Sequence, residues 1–284
     1  MSLLLTALLR SSLAFAGALP DVGEVAGTVG SEVVAQGDSL IEMARRHDLG
    51  FAEIAAANPG LDPFVPAAGT RVVLPTAWIV PQAPAGMVLV NLSEMRLYLH
   101  LERKGDKSLV TFPIGVGVDG HSTPPGDYRV VAKEKNPTWH VPPSVRKDEP
   151  ELPPSVPPGK DNPLGTRALR LSGTAILIHG TNRPFGVGRR VSHGCMRLYP
   201  EDILVLYRLV PVGATVRVVR QPVKVALWED RIYVEVHQDD EVGLDLLEEA
   251  RRLLARRGLL DRVDRARLEA AVRQASGAPV DVGR

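Results

Sequence analysis

Three patterns in the 284-residue sequence predict a mainly β domain of sandwich or barrel-like form, with a small strand–helix–helix–strand unit before it and a helical extension after it. Between Met87 and Ile178 apolar residues recur with period two or in short continuous runs, and no helix-length periodic stretch interrupts them before Pro200. Glu32 to Thr76 carries two short helical periods between two short apolar runs. Leu244 to Ala275 carries two amphipathic ones. The 24 prolines and 26 glycines fit a chain with many turns, and a net charge of +1 gives no electrostatic drive toward nucleic acid. With one cysteine, no intrachain disulfide can form.

The first nineteen residues form an apolar segment that closes on small residues, with Ala14-Phe15-Ala16 and Ala16-Gly17-Ala18 both suited to a signal peptidase. No Lys or Arg precedes the apolar run and Arg10 interrupts it, but the segment is too short to span a bilayer and predicts export. In an oxidising compartment a single unpaired cysteine is a liability unless its reactivity is used. Asp21 to Gly30 is small and polar, and reads as a tether. In the unit that follows, Val33-Val34-Ala35 is a short strand, Gly37-Asp38 a turn and Ser39 to His47 a helix capped by Asp38 or Ser39. Phe51 to Ala57 is a second helix, Asn58-Pro59-Gly60 stops it, and Val72-Val73-Leu74 closes the unit. Ala77 to Gly86 is proline-rich and reads as a linker that leaves the unit free to fold alone.

Strand signals then run over Met87–Leu92, Arg96–Leu101, Leu109–Val118, Tyr128–Lys133 and Ala175–Ile178, punctuated by turns at Lys104-Gly105-Asp106 and Pro124-Pro125-Gly126. This predicts mostly antiparallel pairing. Asn136 to Arg170 holds prolines from Pro137 to Pro163 at a density that precludes regular structure, and Trp139 with His140 makes it a lid or substrate wall. Beyond Pro200 the sequence predicts a short helix to Leu209, a strand over Thr215–Val219 and a hairpin of Val223–Leu227 with Arg231–His237. Helices over Leu244–Arg257 and Asp261–Ala275 follow, with i,i+4 pairs Glu248–Arg252, Asp261–Arg265 and Glu269–Arg273 on solvated Arg-rich faces.

The chemistry concentrates between Ile176 and Arg197, where the apolar run Ile176-Leu177-Ile178 ends in His179-Gly180-Thr181 and a loop leads to Ser192-His193-Gly194-Cys195-Met196-Arg197. Three readings fit these residues. Cys195 is a structural cysteine on a buried strand; or His179, His193 and Cys195 hold a zinc ion; or imidazole keeps the thiol as a thiolate, reactive at neutral pH. His193 lies two residues before Cys195, on the same face of an extended segment, whereas His179 sits at the end of a rigid strand, with Gly180 leaving room for substrate.

Two resemblances bear on the choice. Val34, Gly37-Asp38, Leu40, Ile41, Ala44, Ile54, Asn58-Pro59, Gly69 and Val73-Leu74-Pro75 resemble a LysM domain over residues 32–76, which implies binding of the N-acetylglucosamine of a cell-wall glycan through Gly37, Asp38, Asn58 and Pro59. His179-Gly180-Thr181 followed by Ser192-His193-Gly194-Cys195-Met196-Arg197 resembles the signature of L,D-transpeptidases. So do Thr123-Pro124-Pro125-Gly126, Asn136 to Pro143, Asn162 to Leu169 and Pro222-Val223-Lys224-Val225, which are similar to the branch carrying an N-terminal LysM. The resemblance implies a signal peptide at 1–19, a catalytic domain at 86–221, a C-terminal hairpin and helical extension at 222–284, and a periplasmic, wall-associated enzyme without cofactor or metal.

By the same resemblance Cys195 is the nucleophile and His179 the base. His193, Gly194, Ser192 and the Cys195 N–H shape the oxyanion pocket, with Arg197, Gly180, Thr181 and Trp139 around the substrate. Peptidoglycan tetrapeptide stems are the implied donor, with D-Ala released. The implied acceptor is an amine of a second stem or of an outer-membrane lipoprotein, and carbapenems acylate such cysteines. A wall-binding protein with an inactive domain, and a related L,D-carboxypeptidase or amidase, are the alternative readings.

Overall fold

The structure, a computed structural model, describes residues 25–103 and 106–284. The signal segment 1–19, the start of the tether and the Lys104-Gly105 turn lie outside the described residues. The N-terminal unit contains β1 (Val25–Gly27), β2 (Gly30–Val33), α1 (Leu40–Arg46), α2 (Phe51–Ala57), β3 (Arg71–Leu74) and β4 (Ala77–Ile79). β2 pairs antiparallel with β3, the two helices lie between them in sequence, and β1 pairs antiparallel with β4. Ser39, rather than Asp38, caps α1, its hydroxyl accepting the Glu42 N–H at 3.2 Å. Asp38 instead accepts the Ala35 N–H at 3.1 Å and pairs with Arg46.

Two expectations are corrected by these strands. The end of the expected tether is β1, and the expected linker begins as β4 followed by Val80, all of it buried from Ala77 through Val80. The reason is apolar content: Ala77, Trp78, Ile79 and Val80 have to leave water. Trp78 and Val80 join Leu40, Met43, Ile54 and Val72 in one core that continues into Leu89, Tyr98 and Leu109 of the central sheet. The N-terminal unit is therefore not a bead on a string.

The central domain comprises β5 (Val88–Asn91), β6 (Arg96–Arg103), β7 (Asp106–Pro113), β8 (Val116–Gly117), β9 (Gly126–Lys135), β10 (Trp139–His140), α3 (Pro143–Asp148), β11 (Ser155–Val156), β12 (Arg167–Leu171), β13 (Leu177–His179), β14 (Arg190–Ser192), β15 (Met196–Arg197), α4 (Asp202–Leu209) and β16 (Thr215–Val219). Eight of these strands form one sheet in the order β15-β13-β12-β9-β16-β5-β6-β7. The pairing is mostly antiparallel, with parallel contacts at β13–β15 and β16–β5. The chain leaving β7 curls the sheet back on itself: Gly115 exchanges two backbone hydrogen bonds with Arg197 of β15, at 2.8 and 2.9 Å, and β8 pairs with β14. Inside lie Val88, Leu97, Leu99, Ile114, Leu169, Ile178, Met196 and Val216, with Ile203 and Leu206 of α4 packed against them.

The proline-rich insertion is more regular than expected. β10 pairs with β11, and α3 starts at Pro143, where proline is compatible with a first helical turn. Asn162, fully buried, gathers the segment: its amide nitrogen donates to the carbonyls of Pro137, Val156 and Pro157, and its oxygen accepts the Leu164 N–H at 2.9 Å.

The C-terminal part pairs β17 (Val223–Trp228) with β18 (Arg231–Val236) through a two-residue turn whose Glu229 and Asp230 take φ of 48° and 61°. Against it pack α5 (Leu246–Arg256) and α6 (Arg265–Gln274), and β19 (Val280–Asp281) adds a third strand. Asp245 and Asp264 cap the two helices. The expected helix pairs are largely re-sorted by one residue: Glu248 takes Arg251 and Glu249 takes Arg252, both i,i+3, while Glu269–Arg273 is present at 3.9 Å. Asp261 falls instead in a 3₁₀ turn. Among the described residues no helix is long and apolar enough to cross a membrane.

The join between the N-terminal unit and the sheet rests on Glu53 and Arg96, both buried, with Nε–Oε1 at 2.7 Å and Nη2–Oε2 at 2.8 Å. Removing one member strands a buried charge, at a cost of about 3–5 kcal/mol. Glu53→Leu should therefore lower the urea unfolding free energy by about that amount; a loss under about 1 kcal/mol, typical of an exposed pair, would contradict the buried-pair account.

Candidate active site

Parallel pairing of β13 with β15 sets Ile178 opposite Met196 and His179 opposite Arg197. Ile178 and Met196 both point into the core. Strand alternation then puts Leu177, His179, Cys195 and Arg197 together on the other face. Cys195 is half-buried there, and its sulfur accepts the Leu177 N–H at 3.4 Å. With Trp139 it packs against Leu164, Ala168 and Leu177, so the proline-rich insertion lies beside the thiol. His140, by contrast, is exposed.

The turn before the thiol is fixed from behind. Ser192 is buried and its hydroxyl donates to the Cys195 carbonyl at 2.6 Å. Gly194 sits at φ 96°, a conformation that favours glycine, and its carbonyl accepts the Thr123 hydroxyl at 3.0 Å. Because the peptide is planar and trans, that anchor turns the Cys195 N–H the opposite way.

His179 is buried, and its Nδ1 meets the Gly180 carbonyl at 2.5 Å. Nδ1 therefore carries the proton and Nε2 is the basic nitrogen. Burial first, and the Arg197 charge second, push this imidazole down to about 3. Burial also pushes the Cys195 thiol up, against the opposing pull of the Leu177 N–H and the Arg197 and Arg170 charges. The expectation of a preformed thiolate at neutral pH is thus corrected: without substrate the site holds a neutral thiol and a neutral imidazole, because both lie in low dielectric. Burial also lowers Arg197, whose Nε is buried with no hydrogen-bond partner among the described residues.

His193 stacks on His121, ring centroids 4.3 Å apart, and its Nδ1 is buried without a partner among the described residues. His121 in turn lies 3.9 Å from Asp148 of α3. His179, His193 and Cys195 do not bring three ligand atoms within 4.8 Å of one another, so the zinc reading of that trio has no geometry behind it. Glu94, Glu235 and His237 do converge, but Lys224 Nζ sits 2.7 Å from both carboxylates and is the cation of that cluster.

Other expected site residues also make contacts within the fold. Gly180 is buried where a Cβ would lie 2.9 Å from Ile203, so its missing side chain makes room for α4. Thr181 is buried and accepts the Arg183 N–H. In the N-terminal unit Asn58 is buried, bridging the Ile54 carbonyl and the backbone of Val73, while Gly37 and Pro59 are exposed. Sequence reasoning missed Leu177, whose contribution is a backbone N–H, and His121, whose partner His193 is 72 positions away in sequence (193 − 121) and invisible to local pattern.

The family model of the L,D-transpeptidase catalytic domain (YkuD) matches residues 85–219. The probable L,D-transpeptidase YcfS of Escherichia coli is 37% identical over 262 residues, covering 87% of this chain and 81% of that one. The probable L,D-transpeptidase ErfK/SrfK of Salmonella typhimurium is 35% identical over 260 residues, covering 86% and 82%. The chain belongs to the L,D-transpeptidase family. It is an enzyme of that class.

In an L,D-transpeptidase with this site, alkylation of free Cys195 should follow one ionisation above the ordinary thiol value of about 8.5, because burial raises the thiol. His179 should add no inflection above about pH 4, since its imidazole is neutral above about 3. A thiolate-level rate already reached at about pH 6 would overturn this account.

Proposed function

We propose that Cys195 attacks the carbonyl of the diaminopimelate residue that precedes the terminal D-Ala of a peptidoglycan tetrapeptide stem. The single observation that carries this reading is the shared face of β13 and β15, which carries the Cys195 thiol, His179 with its proton on Nδ1, and the half-buried Arg197, whose Nε is buried. As sulfur bonds to the carbonyl carbon, the thiol proton passes to His179. The oxyanion is held by peptide N–H groups of the Gly194–Cys195 turn, with His193 shaping the pocket. His179 then returns the proton to the departing D-Ala amine, leaving a thioester on Cys195. An amine, from a second stem or from a lysine of an outer-membrane lipoprotein, adds to the thioester, gives up its proton and releases the thiol.

An imidazole held at about 3 is a weak base for a raised thiol, since a general base works best with a pKa near the working pH, so proton transfer has to wait until substrate offsets the Arg197 charge beside His179. Arg197, whose Nε has no hydrogen-bond partner among the described residues, is the cation for a stem carboxylate, an anion that arginine binds strongly. The N-terminal unit is read as a LysM domain that binds wall glycan through its exposed face at Gly37 and Pro59. Export through the 1–19 segment places the enzyme in the periplasm.

Incubation with tetrapeptide stems should release D-Ala. His179→Ala should lower acylation by about 10²–10⁴-fold, His193→Ala by less, and Arg197→Gln should raise KM more than it lowers kcat. Cys195→Ala sets the zero, and D-Ala release that survives in that variant would overturn the mechanism.

A further inference from the structure

The loop that delivers the nucleophile is suspended between two supports. On one side, β14 pairs with β8, Val116 donates its N–H to the Arg189 carbonyl at 2.9 Å, and Val118 donates to the Ser192 carbonyl at 2.9 Å. On the other side, the N-terminal unit takes hold. The Phe51 N–H donates to the Val187 carbonyl at 3.2 Å and the Ala52 N–H to the Gly188 carbonyl at 3.1 Å. These two N–H groups belong to the first turn of α2, whose first internal bond is Ile54 N–H to Gly50 C=O, so the helix gives up nothing to make them.

The approach is close enough to require two glycines facing each other. A Cβ on Gly188, which sits at φ 75°, would lie 2.2 Å from Phe51 N, and a Cβ on Gly50 would lie 2.8 Å from the Gly188 Cα. The Arg189 guanidinium lies over the Phe51 ring at 4.0 Å. From Gly188 the chain needs only four residues to reach Ser192, whose hydroxyl holds the Cys195 carbonyl.

We infer that the N-terminal unit is a positioning part of the acyl-transfer site: through Phe51 and Ala52 it fixes the Val187–Gly188 carbonyls and thereby the placement of Cys195 against His179. This goes beyond wall binding. The unit acts on the reaction even with a soluble stem that touches no glycan, and it acts through the loop rather than by contact with substrate.

The backbone offers a clean test. Phe51 is the first helical residue of α2, where proline fits, and Gly50 before it has φ −84° and ψ 158°, the extended conformation that a residue preceding proline adopts. Phe51→Pro in the full chain removes the N–H to Val187 and puts ring carbon in its place, while Phe51→Ala loses the same aromatic ring and keeps the N–H. The pair isolates the hydrogen bond. Relative to Phe51→Ala, Phe51→Pro should lower kcat for D-Ala release by about tenfold or more, with KM changed by less than about twofold and a thermal midpoint lower by only about a few degrees, well above the assay temperature.

Alkylation of Cys195 by iodoacetamide should change in rate or pH midpoint in the same comparison. This arm does not depend on the stem being the substrate, so its outcome separates failure of the positioning role from failure of the proposed reaction. Gly50→Ala, at an extended backbone position that alanine adopts freely and with its Cβ 2.8 Å from the Gly188 Cα, pushes the loop off α2 from the helix side; it should reproduce the loss of kcat and decides the matter if Phe51→Pro fails to fold. Equal kcat and equal alkylation for Phe51→Pro and Phe51→Ala, or a folded Gly50→Ala variant with unaltered kcat, would overturn the inference.

Discussion

A buried ion pair is an expensive way to join two parts of a protein, and the Glu53–Arg96 pair works only because nearly every donor and acceptor around it is satisfied. Arg96 is fully buried, yet besides Glu53 it donates to the Asp48 carbonyl at 2.8 Å and the Thr111 hydroxyl at 3.2 Å, and Trp78 lies under its guanidinium at 4.1 Å. Glu53 accepts, beyond Arg96, the Trp78 indole N–H at 3.3 Å and the Gly50 N–H at 2.5 Å. One carboxylate thus caps α2, receives the sheet's arginine and holds β4's tryptophan. An apolar contact of the same area would tolerate sliding; this one has a single geometry.

That geometry reaches the chemistry because α2 is also the element whose first turn meets Val187 and Gly188. Tyr199, two residues past Arg197, adds a second tie, its hydroxyl donating to the Leu49 carbonyl at 3.0 Å. From the opposite end of the chain Asp239 and Glu241 grip Arg190 of the same loop, while Asp239 also accepts the Ser93 hydroxyl and Glu241 the Ser122 hydroxyl. Segments distant in sequence therefore converge on the few residues that lead into Cys195. A site held in this way can place a thiol and an imidazole without bonding them to each other in the resting state.

The parts of this molecule that were legible in the sequence are those written in local pattern. Ser39 before Leu40, the Phe51–Ala57 helix, the Thr215–Val219 strand and the hairpin around Glu229-Asp230 all follow from capping, period and turn chemistry. The glycine-flanked cysteine and the strand ending in His179 likewise mark the site. What could not be read were pairings across the chain. Proline density around Pro142 suggested irregularity, but Asn162 satisfies the carbonyls that proline leaves without a ladder partner. Ala77 to Gly86 looked like a linker because Pro81 and Pro84 dominate its composition, whereas Trp78 and Val80 decide its fate by burial. The sequence could not show that a Cβ on Gly180 would also meet Ile203 of α4.

The electrostatics of the resting site have a further consequence. A cysteine protease with a thiolate–imidazolium pair stores its charge separation before substrate arrives. Here the Arg197 charge favours the thiolate but disfavours protonated His179, and burial disfavours both charged forms. Charge separation is thus postponed until something compensates it. An anionic substrate that neutralises Arg197 would remove the repulsion that depresses His179 and raise its basicity, while closing over the site would strengthen every remaining dipole. In the proposed mechanism binding and proton transfer would be coupled through this guanidinium, and an uncharged acyl donor would leave His179 a poorer base. Among the described residues Nε of Arg197 has no partner, which leaves this coupling open, since a guanidinium already engaged by a protein carboxylate would have nothing left to exchange.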